Sequence, residues 1–259
     1  MPSIRSRLWL AFAYALLMLS ARADTLVRLA SDDWCPYVCA KDGRIVNGVL
    51  VDFAQQALSA KGYRLESQLM PLNRAMLLTE QGKIDGIYAP AIDDRLVLSR
   101  PILSSRACFY TRPDSNWAYQ SMRSLDGVVT GAIDDYGYDN GPFDDFVARA
   151  KQTKSPRIEI NRGETAVEAN ITKLLRKRYD VMIEHEAVLD YVTRARHPEL
   201  AGQLRKAGCL ADALPLVIGI SKHTPDAKVM VATVNAAIND KSGKDLLAGL
   251  RRRYGLATP

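Results

Sequence analysis

The sequence predicts an α/β fold made of two similar units, each a mainly parallel sheet flanked by helices, with a hinge between them. Three features support this. Strand-like alternation and helix-like periodicity take turns along most of the chain, the order strand–helix–strand–helix–strand occurs twice, and extended segments separate the two occurrences.

The first 23 residues stand apart from that pattern. Arg5 and Arg7 precede an uncharged run at 8–19, and Ser20, Ala21, Arg22 and Ala23 offer the small residues of a cleavage site. The run is shorter than the roughly 20 residues that a membrane-spanning helix needs, so 1–23 is predicted to be a cleaved signal peptide. No Cys follows the site, which speaks against a lipid anchor, and no later stretch predicts membrane insertion. Removal of 23 from 259 residues leaves 236, enough for two modest domains.

The elements follow in order. Residues 25–30 alternate as a first strand; 52–61 read as a helix with Asp52 at its start and Gly62 at its stop; 63–69 alternate again. Pro71 opens a second helix that closes at Gly82, and 84–88 form a short buried strand. After mixed loop from 112 to 125, strands at 128–133, 157–161 and 179–183 enclose helices at 142–151 and 163–177. A strand at 216–221 and two helices, one opened by Pro225 and one over 244–254, complete the chain. Arg251, Arg252 and Arg253 at the last helix end suit the negative end of its dipole.

Without Arg5, Arg7 and Arg22, 32 basic side chains face 29 acidic ones, a balance that does not imply nucleic acid. An exported chain meets an oxidising compartment, and its four cysteines permit three pairings. Cys35 with Cys39, a local staple, and Cys108 with Cys209 are favoured. The rival is a metal site, but there is no CxxC pair and His185, His197 and His223 are distant in sequence, so neither metal nor cofactor is expected. Ser-His-Asp order, HExxH, a P-loop and GxGxxG are all absent, and no catalytic residue is assigned.

Four segments carry a resemblance to the family 3 extracellular solute-binding proteins of ABC transporters, the polar amino-acid-binding type. Val27 to Tyr37 resembles the family's first strand and aromatic-Pro-aromatic step, and Gly48 to Asp52 its entry to the first helix. Asp85-Gly86, Asp94-Arg95 and Ser99-Arg100-Pro101 are similar to its third strand, acidic-Arg pair and Ser-x-Pro. Leu125-Asp126-Gly127 with Gly131, and 179–183, resemble the second-lobe strands. The resemblance implies a two-lobed periplasmic-binding-protein-like (type II) fold, with lobe 1 from 24–111 and 216–259 and lobe 2 from 112–215.

It also implies a set of ligand residues. Arg95 matches the arginine that forks onto a ligand carboxylate, a geometry lysine cannot reproduce. Trp34 matches the aromatic that covers the ligand, and Tyr88 ends the third strand. Arg74 is placed to face the same crevice and, as a second arginine, favours an anionic ligand. In lobe 2, Tyr136 and Tyr138 follow a strand and precede a helix, where backbone N–H groups can meet an anion. Five residues after Asp180 the family's ammonium-binding Asp is replaced by His185; either neighbouring Glu184 substitutes or the ligand is not an α-amino acid.

The expected function is capture of a small polar solute, an amino acid or related carboxylate, by a periplasmic monomer that delivers it to an ABC transporter permease. The alternatives are an enzyme resembling the periplasmic cyclohexadienyl dehydratases, which share the fold, and a ligand-sensing subunit for a membrane receptor.

Overall fold

The chain begins its fold with β1 (Thr25–Ser31), whose alternation buries Val27 and Leu29. This is a computed structural model that describes residues 25–92, 94–163 and 165–256; the predicted leader at 1–23 lies outside them. A hairpin follows, β2 (Cys39–Lys41) and β3 (Arg44–Asn47), where the sequence predicts only a loop.

Helix α1 (Val49–Ser59) starts three residues ahead of Asp52, the predicted first residue. Gly48 makes the earlier start possible. Its φ is 136°, and a Cβ there would lie 2.4 Å from the Tyr37 carbonyl oxygen, so glycine alone fits the approach. From that point Val49, Leu50, Phe53, Ala54, Ala57 and Leu58 recur at helical spacing and bury one face against the sheet.

Strand β4 (Tyr63–Leu69) pairs in parallel with β1 along its whole length, α2 (Leu72–Glu80) returns the chain, and β5 (Gly86–Tyr88) takes the other side of β1. Beyond β6 (Leu96–Leu98), the short β7 (Leu103–Ser105) carries the chain across to β8 (Ala107–Thr111) in a second sheet. That sheet is completed by β9 (Thr130–Ile133), β10 (Ile158–Asn161), β11 (Val181–His185) and β12 (Arg205–Cys209). Its helices are α3 (Pro142–Thr153), α4 (Ala166–Leu175) and α5 (Glu186–Tyr191), the last running into one π-helical turn, Val192–Arg196. Strand β13 (Leu214–Leu216) carries the chain back to β14 (Ile218–Ser221), and α6 (Ala227–Asn239) and α7 (Lys241–Arg253) close it.

The strand orders are β4-β1-β5-β14-β6 and β10-β9-β11-β8-β12. Each sheet with its helices forms one lobe. The prediction of mainly parallel sheets needs correction, because parallel pairing in each sheet is confined to the strands linked through helices. Strands entering from the crossings, β8 and β14, run antiparallel to their neighbours. The reason is connectivity: parallel neighbours need a long crossover, and the crossing segments have none. The boundary expected after residue 111 also shifts, since β8 belongs to the second sheet. The crossing strands β7 and β13 pair with each other, Leu103 opposite Leu216 and Ser105 opposite Leu214, so the lobes are joined by a two-stranded ribbon.

The half-repeat recurs in side chains. Asp85 before β5 accepts the Arg28 N–H at 2.8 Å, and Asp180 before β11 accepts the Val129 N–H at 3.0 Å, so an acid fastens the central strand of each lobe to its neighbour. The chain's end is fastened to the first lobe: the Tyr254 hydroxyl donates to Asp52 on α1 at 2.8 Å, and Arg253 reaches the same oxygen at 3.3 Å.

Both favoured cysteine pairs are bonded, Cys35 with Cys39 and Cys108 with Cys209, the second joining opposed residues of β8 and β12. No helix among the described residues is long and apolar enough to cross a membrane.

Candidate ligand-binding cleft

A cavity of about 360 Å³ lies between the lobes, at the ends of the strands. This is where an open α/β sheet leaves a crevice, and the volume falls in the range of small-molecule sites. Asp32 and Asp33 enter it directly after β1, Met70 and Pro71 after β4, Asp134 to Tyr136 after β9, and Arg162 after β10. Thr165 to Glu168 at the start of α4, Val192 and Arg196 on the π-helical turn, and the tip of the β2–β3 hairpin complete the wall.

The lobes touch across this space. Arg196 donates to Asp33 at 2.5 Å and lies 3.7 Å from Glu168, so a guanidinium of the second lobe is held by a carboxylate from each. Beside it, the Tyr136 hydroxyl hydrogen-bonds the Asp32 carboxyl. Trp34 meets His185 edge-on with ring centres 4.9 Å apart, and Tyr136 edge-on at 6.0 Å.

Local chemistry fixes each group. The Cys35–Cys39 bond closes a tight loop in which Trp34 and Val38 exchange backbone hydrogen bonds, and the Tyr37 hydroxyl donates to Ser105 on the crossing ribbon at 2.9 Å. Trp34 is thereby held against the second lobe. On that lobe, His185 Nε2 lies 2.9 Å from the Gly137 carbonyl, which can only accept; Nε2 therefore carries the hydrogen and Nδ1 is a lone pair. Tyr138 stacks on the His185 ring, and its hydroxyl accepts the Ile133 N–H at 2.8 Å. Burial drives the His185 pKa down to about 4, so the ring is neutral.

Glu184 is wholly buried. One oxygen accepts the His185 N–H at 2.8 Å, and Oε2 has no partner. Desolvation lifts its pKa to about 8, with Asp32 adding to the effect, so it holds a proton at neutral pH. Asp32 is pushed up to about 6 by burial, against the lowering effect of the Tyr136 hydrogen bond. The Trp34 Nε1 and His185 Nδ1 atoms are likewise buried without partners.

The predicted site residues separate into two groups. Trp34, Tyr136, Tyr138, Glu184 and His185 come together between the lobes, and of these Tyr136 lines the cavity itself. Arg95, Arg74 and Tyr88 do not join them. Arg95 bonds Glu80 at 3.2 Å with both side chains nearly half exposed. Glu80 ends α2, whereas Leu72 at its start lines the cavity, so the pair sits roughly 12 Å along the helix from the cleft. Arg74 is exposed on α2 while its neighbours Leu72 and Asn73 face the cavity. Tyr88 is fully buried in β5, its hydroxyl bonded to that of Ser67 at 2.8 Å.

The anion cradle expected ahead of α3 is already filled. Asp144 accepts the N–H groups of Tyr138 at 2.9 Å and Asn140 at 2.7 Å, and Asp139 accepts those of Gly141 and Phe143. These carboxylates build the loop and leave its donors satisfied.

Sequence reasoning missed Asp32, Asp33, Glu168 and Arg196. The two aspartates carried a usable signal, since they directly follow the first strand, where such sheets bind ligands. Arg196, a basic residue near a helix end, carried none.

No protein-family profile matches the sequence, and no curated protein matches it. Solved structures do. An ancestral arginine-binding protein bound to arginine superposes with a TM-score of 0.69 at 17% identity, covering 90% of this chain and 99% of the other. A histidine kinase sensor domain with similarity to periplasmic binding proteins gives 0.73 at 15%, covering 92% and 99%. An amino acid ABC transporter substrate-binding protein from Streptococcus pneumoniae, bound to L-arginine, gives 0.67 at 17%, covering 88% and 94%. The protein has the two-lobed fold of the periplasmic binding proteins.

Proposed function

We propose that the protein captures a small polar solute between its lobes outside the cytoplasm and presents the closed form to an ABC transporter permease. The observation that carries this is the cavity itself: both lobes line it, a two-stranded ribbon joins them, and Asp33–Arg196 spans the gap beside it. Such a clamp closes when a ligand binds the closed form more tightly than the open one. The fold shared with amino-acid-binding proteins supports the same reading.

Reversible binding rather than bond chemistry is proposed. Glu184, the buried protonated carboxyl best suited to act as an acid, is tied to the His185 N–H and does not line the cavity. A second reading, a sensor that presents its closed form to a membrane receptor, is favoured by the sensor-domain likeness and uses the same clamp.

A thermal-stability screen of amino acids, amines, dicarboxylates and sugar acids tests the capture reading. A ligand specific to the native state raises the melting temperature in step with its concentration. If no compound of any class shifts the transition, the reading fails.

A further inference from the structure

The charge of the cavity wall points to the ligand. Asp32, Asp33, Asp42, Asp134, Asp135 and Glu168 line it, against Lys41, Arg162 and Arg196. Two of the three cations are already engaged: Arg162 with Asp134 at 2.6 Å, and Arg196 with Asp33 and Glu168. Asp32 differs from the other inner carboxylates. Its partners are the hydroxyls of Tyr136 and Ser31, and among the described residues no cation is paired with it. The residues expected to seat a ligand carboxylate are elsewhere: Arg95 bonds Glu80 and Arg74 is exposed on α2.

We infer that the cavity takes an organic cation, an amine or guanidinium, held by Asp32 against the Tyr136 ring, and that the ligand needs no carboxylate. This rests on the capture reading and assigns its ligand class. The wall contains an internal precedent, since it already holds a guanidinium: Arg196 lies between two carboxylates with its charge 5.4 Å from the Tyr191 ring centre. A cation entering beside Asp32 would meet the same pairing, a carboxylate and an aromatic face, in a partly desolvated space where both act more strongly than in water. An anion would instead add to an existing excess of negative charge.

Ligand binding is then coupled to protons. The charged and titratable groups around Asp32 are Asp33 on its own loop, Tyr136 after β9, Glu184 at the end of β11, Glu168 on α4 and Arg196 on the π-helical turn. Asp32 is half protonated near pH 6 without ligand. A cation requires its ionised form, so affinity rises from pH 5 to pH 7 and binding releases a proton below pH 6.

The test is calorimetry at pH 7.5 on the mature protein with agmatine, putrescine, arginine and glutarate, repeated with Asp32→Asn, Arg95→Ala and Arg74→Ala. Agmatine or putrescine is expected to bind, with affinity at least tenfold weaker in Asp32→Asn and unchanged in the two arginine variants. If Asp32→Asn does not fold, the native protein's agmatine affinity at pH 5 and pH 7 carries the decision, with proton release read from buffers of different ionisation heat. Binding of glutarate alone, binding of arginine but neither amine, loss of binding in Arg95→Ala, or an agmatine affinity indifferent to pH overturns the inference. In the glutarate case capture stands and only the ligand class falls; with no binding of any of the four compounds the ligand class falls, and capture stands or falls with the stability screen.

Discussion

At the scale of the residue, Glu184 and His185 show how burial sets charge. Glu184 is sealed behind His185, bonded to its N–H, and its pKa lies well above the usual carboxylate range. Unfolded, it loses its proton near pH 4.5; folded, it keeps it to about pH 8. Between those values the native state binds more protons than the unfolded one, so this group makes stability fall as pH rises, and the loss is complete above about 8. His185 acts in the opposite direction, its stability contribution lost as pH falls from 6.5 towards 4. Above about pH 7.5 both His185 and Asp32 have finished titrating, and Glu184 is left. Glu184→Gln, a permanently neutral replacement, is therefore expected to equal the native protein near pH 5 and to exceed it by a few kcal/mol, in order of magnitude, at pH 8.5. Urea unfolding at the two pH values checks this; a variant less stable at pH 8.5 would show that the carboxylate is ionised and paired in the fold.

The π-helical turn that ends in Arg196 is the element that joins the two lobes beside the cavity. Its guanidinium is mostly buried between carboxylates of both lobes, and a charge-assisted hydrogen bond in such a place contributes about 1 kcal/mol or somewhat more. Arg196→Gln should speed dissociation of a captured ligand roughly fivefold while changing its association rate little, as measured by stopped-flow. An unchanged dissociation rate would mean that Asp33–Arg196 plays no part in closure. Arg196 was illegible in sequence because nothing in its local pattern shows that Asp33, 163 residues away, lies opposite. Arg95 shows the same limit from the other side: its position after the third strand resembles a carboxylate anchor, and the local pattern carries no sign of its bond to Glu80, fifteen residues earlier at the end of α2. The longer elements were readable: 63–69 alternate and form β4, and Phe53, Ala57 and Leu58 share a helix face as predicted. Three-residue strands such as β7 and β13 are too short for any period to register, and their pairing is set by the lobes they connect.

For the whole molecule, the legible part was the architecture, because the doubled strand–helix order survives the loss of every short strand. What the order could not convey was the sign of the cleft. That depends on which charges the two lobes bring face to face: Asp32 and Asp33 from one end of the chain, Glu168 and Arg196 from its middle. Two covalent ties keep those surfaces in place, Cys35–Cys39 under Trp34 and Cys108–Cys209 across β8 and β12, and the β7–β13 ribbon is left as the natural axis of movement. Small-angle X-ray scattering of the mature protein tests that movement most directly. Addition of a ligand identified by the stability screen should shrink the radius of gyration and bring the curve into agreement with the lobe contacts described above; a radius that stays constant while calorimetry reports a bound ligand would contradict the clamp.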